Sequence, residues 1–188
     1  LDMRMDPAGA TTAADLLASL SQEELSAALW EFSDEPDHEK IAEWIVRQRA
    51  VAPIQRTGQL TRLILNAKGM SKKTYRDDPA SGFGAFHPAA RTYQTLRILV
   101  NGELGHLQLL LDSAPGLLRP GGRIGIISFH RGEDRIVKQA FLQAYRSRNY
   151  SYISAKPLLP TRAEAKANPR SSSARLRIAC RSDRVEAQ

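Results

Sequence analysis

The chain has 188 residues, 42% hydrophobic and 25% charged, which excludes a disordered or fibrous polypeptide and leaves room for one large domain or one and a half small ones. Its 27 Lys+Arg against 20 Asp+Glu give a net charge of +7, a balance that suits a polyanionic partner such as nucleic acid and equally describes an ordinary solvated basic surface. One cysteine, Cys180, excludes an internal disulfide and fits a reducing cytosol, and no apolar run approaches the roughly 18 residues that span a membrane.

Residues 1–11 read as a lead-in, charged and then broken by Pro7 and Gly9, with no signal-peptide pattern. The first residue is Leu1 rather than Met, which suggests a partial protein. Two capping-box patterns follow. Thr12 with Asp15 opens a segment carrying Leu16, Leu17 and Leu20, and Ser21 with Glu24 opens another carrying Leu25, Ala28, Leu29 and Phe32 at helical spacing. A third helix is expected from about Asp37 to Ala50, burying Ile41, Trp44 and Ile45 and stopped by Pro53. A fourth starts near Thr57 on Leu60, Leu63 and Ile64. Residues 66–86 lack an apolar period and carry Lys68, Lys72, Lys73 and Arg76 before Pro79, Gly82 and Gly84. They read as a basic loop, either a plain linker or a reach toward phosphates.

A long helix is expected from Pro88, with Leu96, Leu99, Val100, Leu104, Leu107, Leu110 and Leu111 on one face. Gly102 and Gly105 each weaken it by roughly 1 kcal/mol relative to Ala, so packing must hold it. Pro120, Gly121 and Gly122 make a turn, and Ile124, Ile126 and Ile127 then read as a buried strand. The strand ends in Ser128, Phe129 and His130, and a helix begins near Glu133 with acidic residues in its first turn. Ligands collect where strands give way to helices at the carboxyl edge of α/β sheets, so Ser128–Asp134 is the best place for chemistry. Tyr150–Ser154 and Ala174–Cys180 alternate as strands, separated by a polar loop over 156–173. One central strand and a closing pair are too few for a complete doubly wound sheet, and the missing strands are expected upstream of Leu1.

Several segments now carry a specific likeness. They are Leu1–Pro7, His87–Ile98 with Asn101, Glu103 and Leu104, Ser128–His130 with Glu133–Lys138, and Asn168–Arg177. In this order, across the whole chain, they resemble the bacterial 16S ribosomal RNA (cytosine-N4) methyltransferase family. The chain departs from that pattern at Arg131-Gly132, where the family has Ser-Leu, and at Ser172, where it has a second Arg. Ala90 and Tyr93 are milder substitutions.

The resemblance implies an α/β fold, the C-terminal part of a class I (Rossmann-like) methyltransferase with an inserted helical domain. Residues 1–11 would end the N-terminal part of the core, 12–86 would form the helical substrate-binding insert, and 87–188 would be the C-terminal half of the core. It implies methyl transfer from S-adenosylmethionine to a cytidine amine of 16S ribosomal RNA, in the cytoplasm, with the small ribosomal subunit as partner. Ser128, His130 and Glu133 are the implied catalytic residues. Asp2, Arg4, Asp6, His87, Arg91, Asn101, Phe129, Asn168 and Arg170 are the implied substrate-binding residues. The Gly-rich cofactor turn is expected upstream of Leu1, so no cofactor-binding residue is assigned here, and four scattered histidines give no metal site.

Each residue also has a plainer reading. His130 serves equally as a satisfied core histidine, Asp134 as a helix-start charge, and Arg170, Arg175 and Arg177 as a basic strand face rather than phosphate contacts. His87 and Arg91 fit capping, and helical spacing favours core roles for Trp30 and Trp44 over base stacking. Two other functions remain: a non-catalytic RNA-binding remnant of such an enzyme, and a serine-type hydrolase on Ser128 and His130, which lacks a nucleophile elbow.

Overall fold

The computed structural model describes residues 1–70 and 87–183, which divide into two compact units, Leu1–Glu103 and Leu104–Gln188. In the first unit both expected capping boxes form. Thr12 Oγ1 accepts the Asp15 N–H at 3.2 Å while Asp15 Oδ2 accepts the Thr12 N–H at 2.8 Å, starting α1 (Ala13–Ser19). Ser21 and Glu24 do the same for α2 (Gln22–Ser33), which ends on Asp34 in the left-handed conformation. Then come α3 (His38–Val51), α4 (Thr57–Ala67) and α5 (Ala90–Asn101). Leu17, Leu29, Ile41, Ile45, Leu60, Ile64 and Leu96 meet in one buried cluster.

Three expectations change here. Trp44 and Trp30 are not core residues: they are 40% and 56% exposed, because Ile41, Ala42 and Ile45 already fill the buried stripe of α3 and Leu25, Ala28 and Leu29 that of α2. Lys68 is not part of a basic loop. It follows α4 and its Nζ lies 2.6 Å from Oε1 of the fully buried Glu35, an ion pair the sequence reading missed. Lys72, Lys73 and Arg76 fall outside the described residues. The single long helix from Pro88 is two helices, since Gly102 adopts φ +57° and its N–H returns to Leu99 O, closing α5 before α6 (Glu103–Leu117) begins.

The second unit is a small α/β layer. Arg119 O accepts the Gly122 N–H at 2.8 Å across a turn with Gly121 at φ +69°, a conformation that glycine adopts without strain. The chain then forms β1 (Arg123–Ser128), α7 (Arg131–Arg146), β2 (Tyr150–Ile153), α8 (Arg162–Ala167), a 3-10 turn (Pro169–Ser173) and β3 (Arg175–Arg181). The stretch read as a polar loop over 156–173 thus holds α8, capped by Thr161 Oγ1 on the Glu164 N–H. Sheet order is β1-β3-β2, with β3 antiparallel to both neighbours. Leu111, Val137, Phe141, Tyr150 and Ala179 form the core, so α6 and α7 both pack apolar residues with the sheet. No helix among the described residues is long and apolar enough to cross a membrane.

Candidate functional site

The strand-to-helix turn after β1 is built by two side chains. Helix α7 starts at Arg131 rather than near Glu133, because His130 is its N-cap: Nδ1 accepts the Glu133 N–H at 3.3 Å. An accepting Nδ1 is unprotonated, so the neutral ring carries its hydrogen on Nε2. Nε2 is buried, 3.4 Å from Glu133 Oε1. The other oxygen of Glu133 reaches back to accept the Phe129 N–H at 2.9 Å. Burial pushes the Glu133 carboxyl up, but the His130 contact and the Phe129 N–H outweigh it and hold the group below the ordinary carboxylate range. Between these two anchors the Phe129 ring stands 54% exposed.

Ser128 is 2% exposed and its hydroxyl donates to the Arg175 carbonyl at 3.4 Å, across the strand pair in which the two residues are register partners. A hydroxyl turned to that carbonyl and a histidine spent on a cap do not make a nucleophile–base pair. The same register sets Arg175, which follows Asn168–Ser173 by two residues, opposite the end of β1. Asn168 O anchors that turn, accepting the Ser171 N–H at 2.9 Å and hydroxyl at 2.8 Å, and Asn168 and Arg170 are both exposed. Arg177 is 5% exposed and grips Asp134 through two hydrogen bonds of 2.7 and 3.1 Å. It is structural rather than a phosphate ligand, because its guanidinium is buried and already paired. Asp134 and Arg177 were legible only as an acidic helix start and a basic strand; their pairing needs the fold.

The remaining residues gather in the first unit. Arg4 binds Asp2 bidentately at 2.6 and 2.9 Å and donates to the Pro7 and Gly9 carbonyls at 3.1 and 2.7 Å. The contact with Arg4 lowers the Asp2 carboxyl to about 2. Asp6 accepts the Ala8 N–H at 2.9 Å and is exposed. Asn101 locks this loop to α5, accepting the Met5 N–H at 2.8 Å and donating to the Met3 carbonyl at 3.0 Å, where Met3 holds φ +68°. That backbone conformation is strained for a residue with a Cβ. Arg91 donates to the Asp34 carbonyl at 2.8 Å and so closes the end of α2, while His87 Nδ1 accepts the Ala89 N–H at 3.1 Å at the start of α5. Both take the capping roles that were their plainer reading.

These residues do not fit S-adenosylmethionine. β1 to α7 is the one strand-to-helix turn among the described residues without intervening elements that opens a long helix, and its N–H donors at Phe129 and Glu133 are taken by the chain's own side chains. In the first unit the candidate acid Asp2 is spent on Arg4.

The model of the MraW methylase family matches residues 1–182. "Ribosomal RNA small subunit methyltransferase H" of Synechococcus elongatus is 46% identical over 179 residues, covering 95% of this chain and 55% of that protein. The proteins of that name from Acidobacterium capsulatum and Deinococcus radiodurans are each 42% identical over 179 residues, with 95% of this chain and 56% and 52% of theirs covered. The chain spans about half the length of the curated relatives it matches.

Proposed function

The chain belongs to the MraW methylase family, and from that premise we propose that it is the substrate-side portion of an S-adenosylmethionine-dependent ribosomal RNA methyltransferase that modifies the N4 amine of a 16S cytidine. Residues 1–11 and 87–188 belong to a class I core on this reading, and 12–86 to a helical substrate-binding insert. The cofactor, which supplies the methyl group when bound, is held by the part of the relatives' length that this chain does not span.

The observation that supports the reading is the pairing of Ser128 with Arg175, since Asn168–Arg170 precedes Arg175 by only five to seven residues. Cytosine N4 is a weak nucleophile, its lone pair delocalised into the ring, so this chain's residues would contribute by fixing the base and its amine. Phe129, with its ring exposed, is the stacking face for the base on this reading. His130, Glu133 and Ser128 position it, the first two by fixing both sides of the turn and the third by fixing the strand end. Asn168 and Arg170 meet the backbone of the RNA. In the first unit, Asp2, Arg4, Asp6 and Asn101 shape the loop that lines the substrate path, and His87 and Arg91 fix α5 beneath it.

The test is a chimera joining residues 1–188 to the portion of the Synechococcus elongatus relative that precedes the match, assayed for N4-methylcytidine in small subunits by mass spectrometry. Methylation that falls at least tenfold in Phe129→Ala and survives in Phe129→Tyr supports the proposal. A folded chimera that binds the cofactor and leaves the RNA unmodified overturns it. The closed β1–α7 turn favours a second reading, an RNA-binding chain without cofactor chemistry, and calorimetry of S-adenosylmethionine with the chimera separates the two.

A further inference from the structure

The excess positive charge is not spread along the chain. Residues 104–188 hold 15 Lys+Arg against 6 Asp+Glu, whereas residues 1–103 hold 12 against 14. Within the second unit, Arg131, Arg135, Lys138 and Arg146 are all exposed on α7, and at 100° per residue they fall within one third of its circumference. None of the four has an ion-pair partner among the described residues. The first of them, Arg131, is a departure from the family pattern.

Beside that stripe lies a cavity of about 350 Å³ between α7 and β2. Its apolar walls include Phe141, Leu142 and Ile153, and the rings of Tyr145 and Tyr152, 47% and 56% exposed, line it as well. Lys138 reaches it from the basic stripe. Ser154 also lines it: its Oγ accepts the Ile178 N–H at 3.1 Å, which leaves the hydroxyl hydrogen free to donate. Phe141 is fixed from behind by an edge-on contact with buried Tyr150, centroids 5.6 Å apart. The charge of Arg177 on the cavity wall is neutralised by Asp134, so a bound group meets no uncompensated buried cation.

We propose that this groove is a docking site for single-stranded RNA, taking one unstacked base between α7 and β2 with the flanking phosphates along Arg131, Arg135 and Lys138. Two exposed aromatic faces, an apolar floor and a neighbouring row of unpaired cations are the combination that single-stranded nucleic acid needs: stacking for the base, charge for the backbone. A protein partner would use the apolar walls but has no general need for a cation row. The inference rests on the RNA-methyltransferase reading for its biological setting, and its base pocket shares no lining residue with the β1 exit.

The experiment is fluorescence anisotropy of a labelled 12-nucleotide single-stranded RNA with the 188-residue chain, in parallel with inorganic polyphosphate as competitor. Tyr145→Ala and Tyr152→Ala each weaken RNA binding by about 5- to 150-fold, the range of one stacked base, and leave polyphosphate affinity unchanged. Tyr152→Phe restores RNA binding. Lys138→Glu and Arg135→Glu weaken both ligands and lower the salt slope by about 1 per contact. Near-UV circular dichroism checks each fold, and the charge variants at exposed positions stand in if an aromatic variant unfolds. RNA affinity unchanged in the tyrosine and charge variants overturns the proposal, as does a folded chain that binds no RNA. An acidic peptide that binds as tightly and is lost with the same variants reassigns the groove to a protein. No methyl donor is present, so failed methylation with groove-dependent RNA binding defeats only the enzymatic reading.

Discussion

A histidine is an uncommon helix N-cap, because it accepts only through an unprotonated ring nitrogen. His130 holds that position with Nδ1 on the Glu133 N–H, and Glu133 in turn fixes Phe129. His130→Ala is expected to cost about 0.5–2 kcal/mol in urea unfolding, and His130→Asn, which supplies a good capping acceptor, much less. Equal losses in both would mean that the ring packs rather than caps. The residue-level pH dependence belongs to Asp2. Its carboxyl is lowered to about 2 from the ordinary aspartate value of 3.8, so the Arg4 clamp is at full strength above the unfolded value and is lost as pH falls from about 4 through about 2. Glu133 is also depressed, with the same sign: its support of the turn holds at neutral pH and fades below the ordinary carboxylate range. Carbon-detected NMR titration of the Asp2 carboxyl checks the first, and Asp2→Asn should abolish the step in the Met3 and Met5 amide shifts.

Two buried ion pairs fix whole elements. Asp134 on α7 and Arg177 on β3 tie helix to sheet, and Asp134→Ala leaves a guanidinium buried without its partner, a loss of about 3–5 kcal/mol by denaturant titration. Lys68→Met does the same to Glu35 at the exit of α2, with a similar loss, whereas Lys40→Met on the exposed Lys40–Asp37 pair should be near neutral. Neither buried pair was legible, since sequence separations of 43 and 33 residues carry no period. What could be read were local signals. Thr12 and Ser21 announce their helices by side chain and spacing, and Ile124–Ile127 announces β1 by its β-branched run, but not its burial. Ile124 and Ile126 are half-buried and Ile127 is exposed, because the strand covers one face only. In the sequence Gly102 is a weak point, yet its φ of +57° makes it a terminus, a distinction that depends on how α5 packs. Trp44 misled because aromatic residues at helical spacing satisfy the apolar pattern even from its exposed margin. The residue types at the β1 exit were legible as a set, whereas their division into a presented ring and the side chains that hold it was not.

At the scale of the molecule the charge division is the leading feature, since the two units differ by sign as well as by architecture. With heparin bound, lysine-acylation footprinting should protect Lys138, Lys156 and Lys166 and leave Lys40 and Lys68 at their free rates; uniform protection would show that charge density on the second unit does not steer polyanions. The first unit joins distant segments through side chains, as where Asn101 holds Met3 and Met5, whereas the second does so through its sheet. β1 and β2 each pair with β3 and not with each other, so every ladder bond waits for the latest of the three strands. On the ribosome, the 58 residues between Arg123 and Arg181 take on the order of 3 to 12 s to add. Through that interval the edge of β1 that β3 will cover stays open, and its exposed isoleucine at 127 is available to any passing strand or chaperone. A sheet closed by its central strand therefore makes the nascent chain, rather than the finished one, the species most in need of protection.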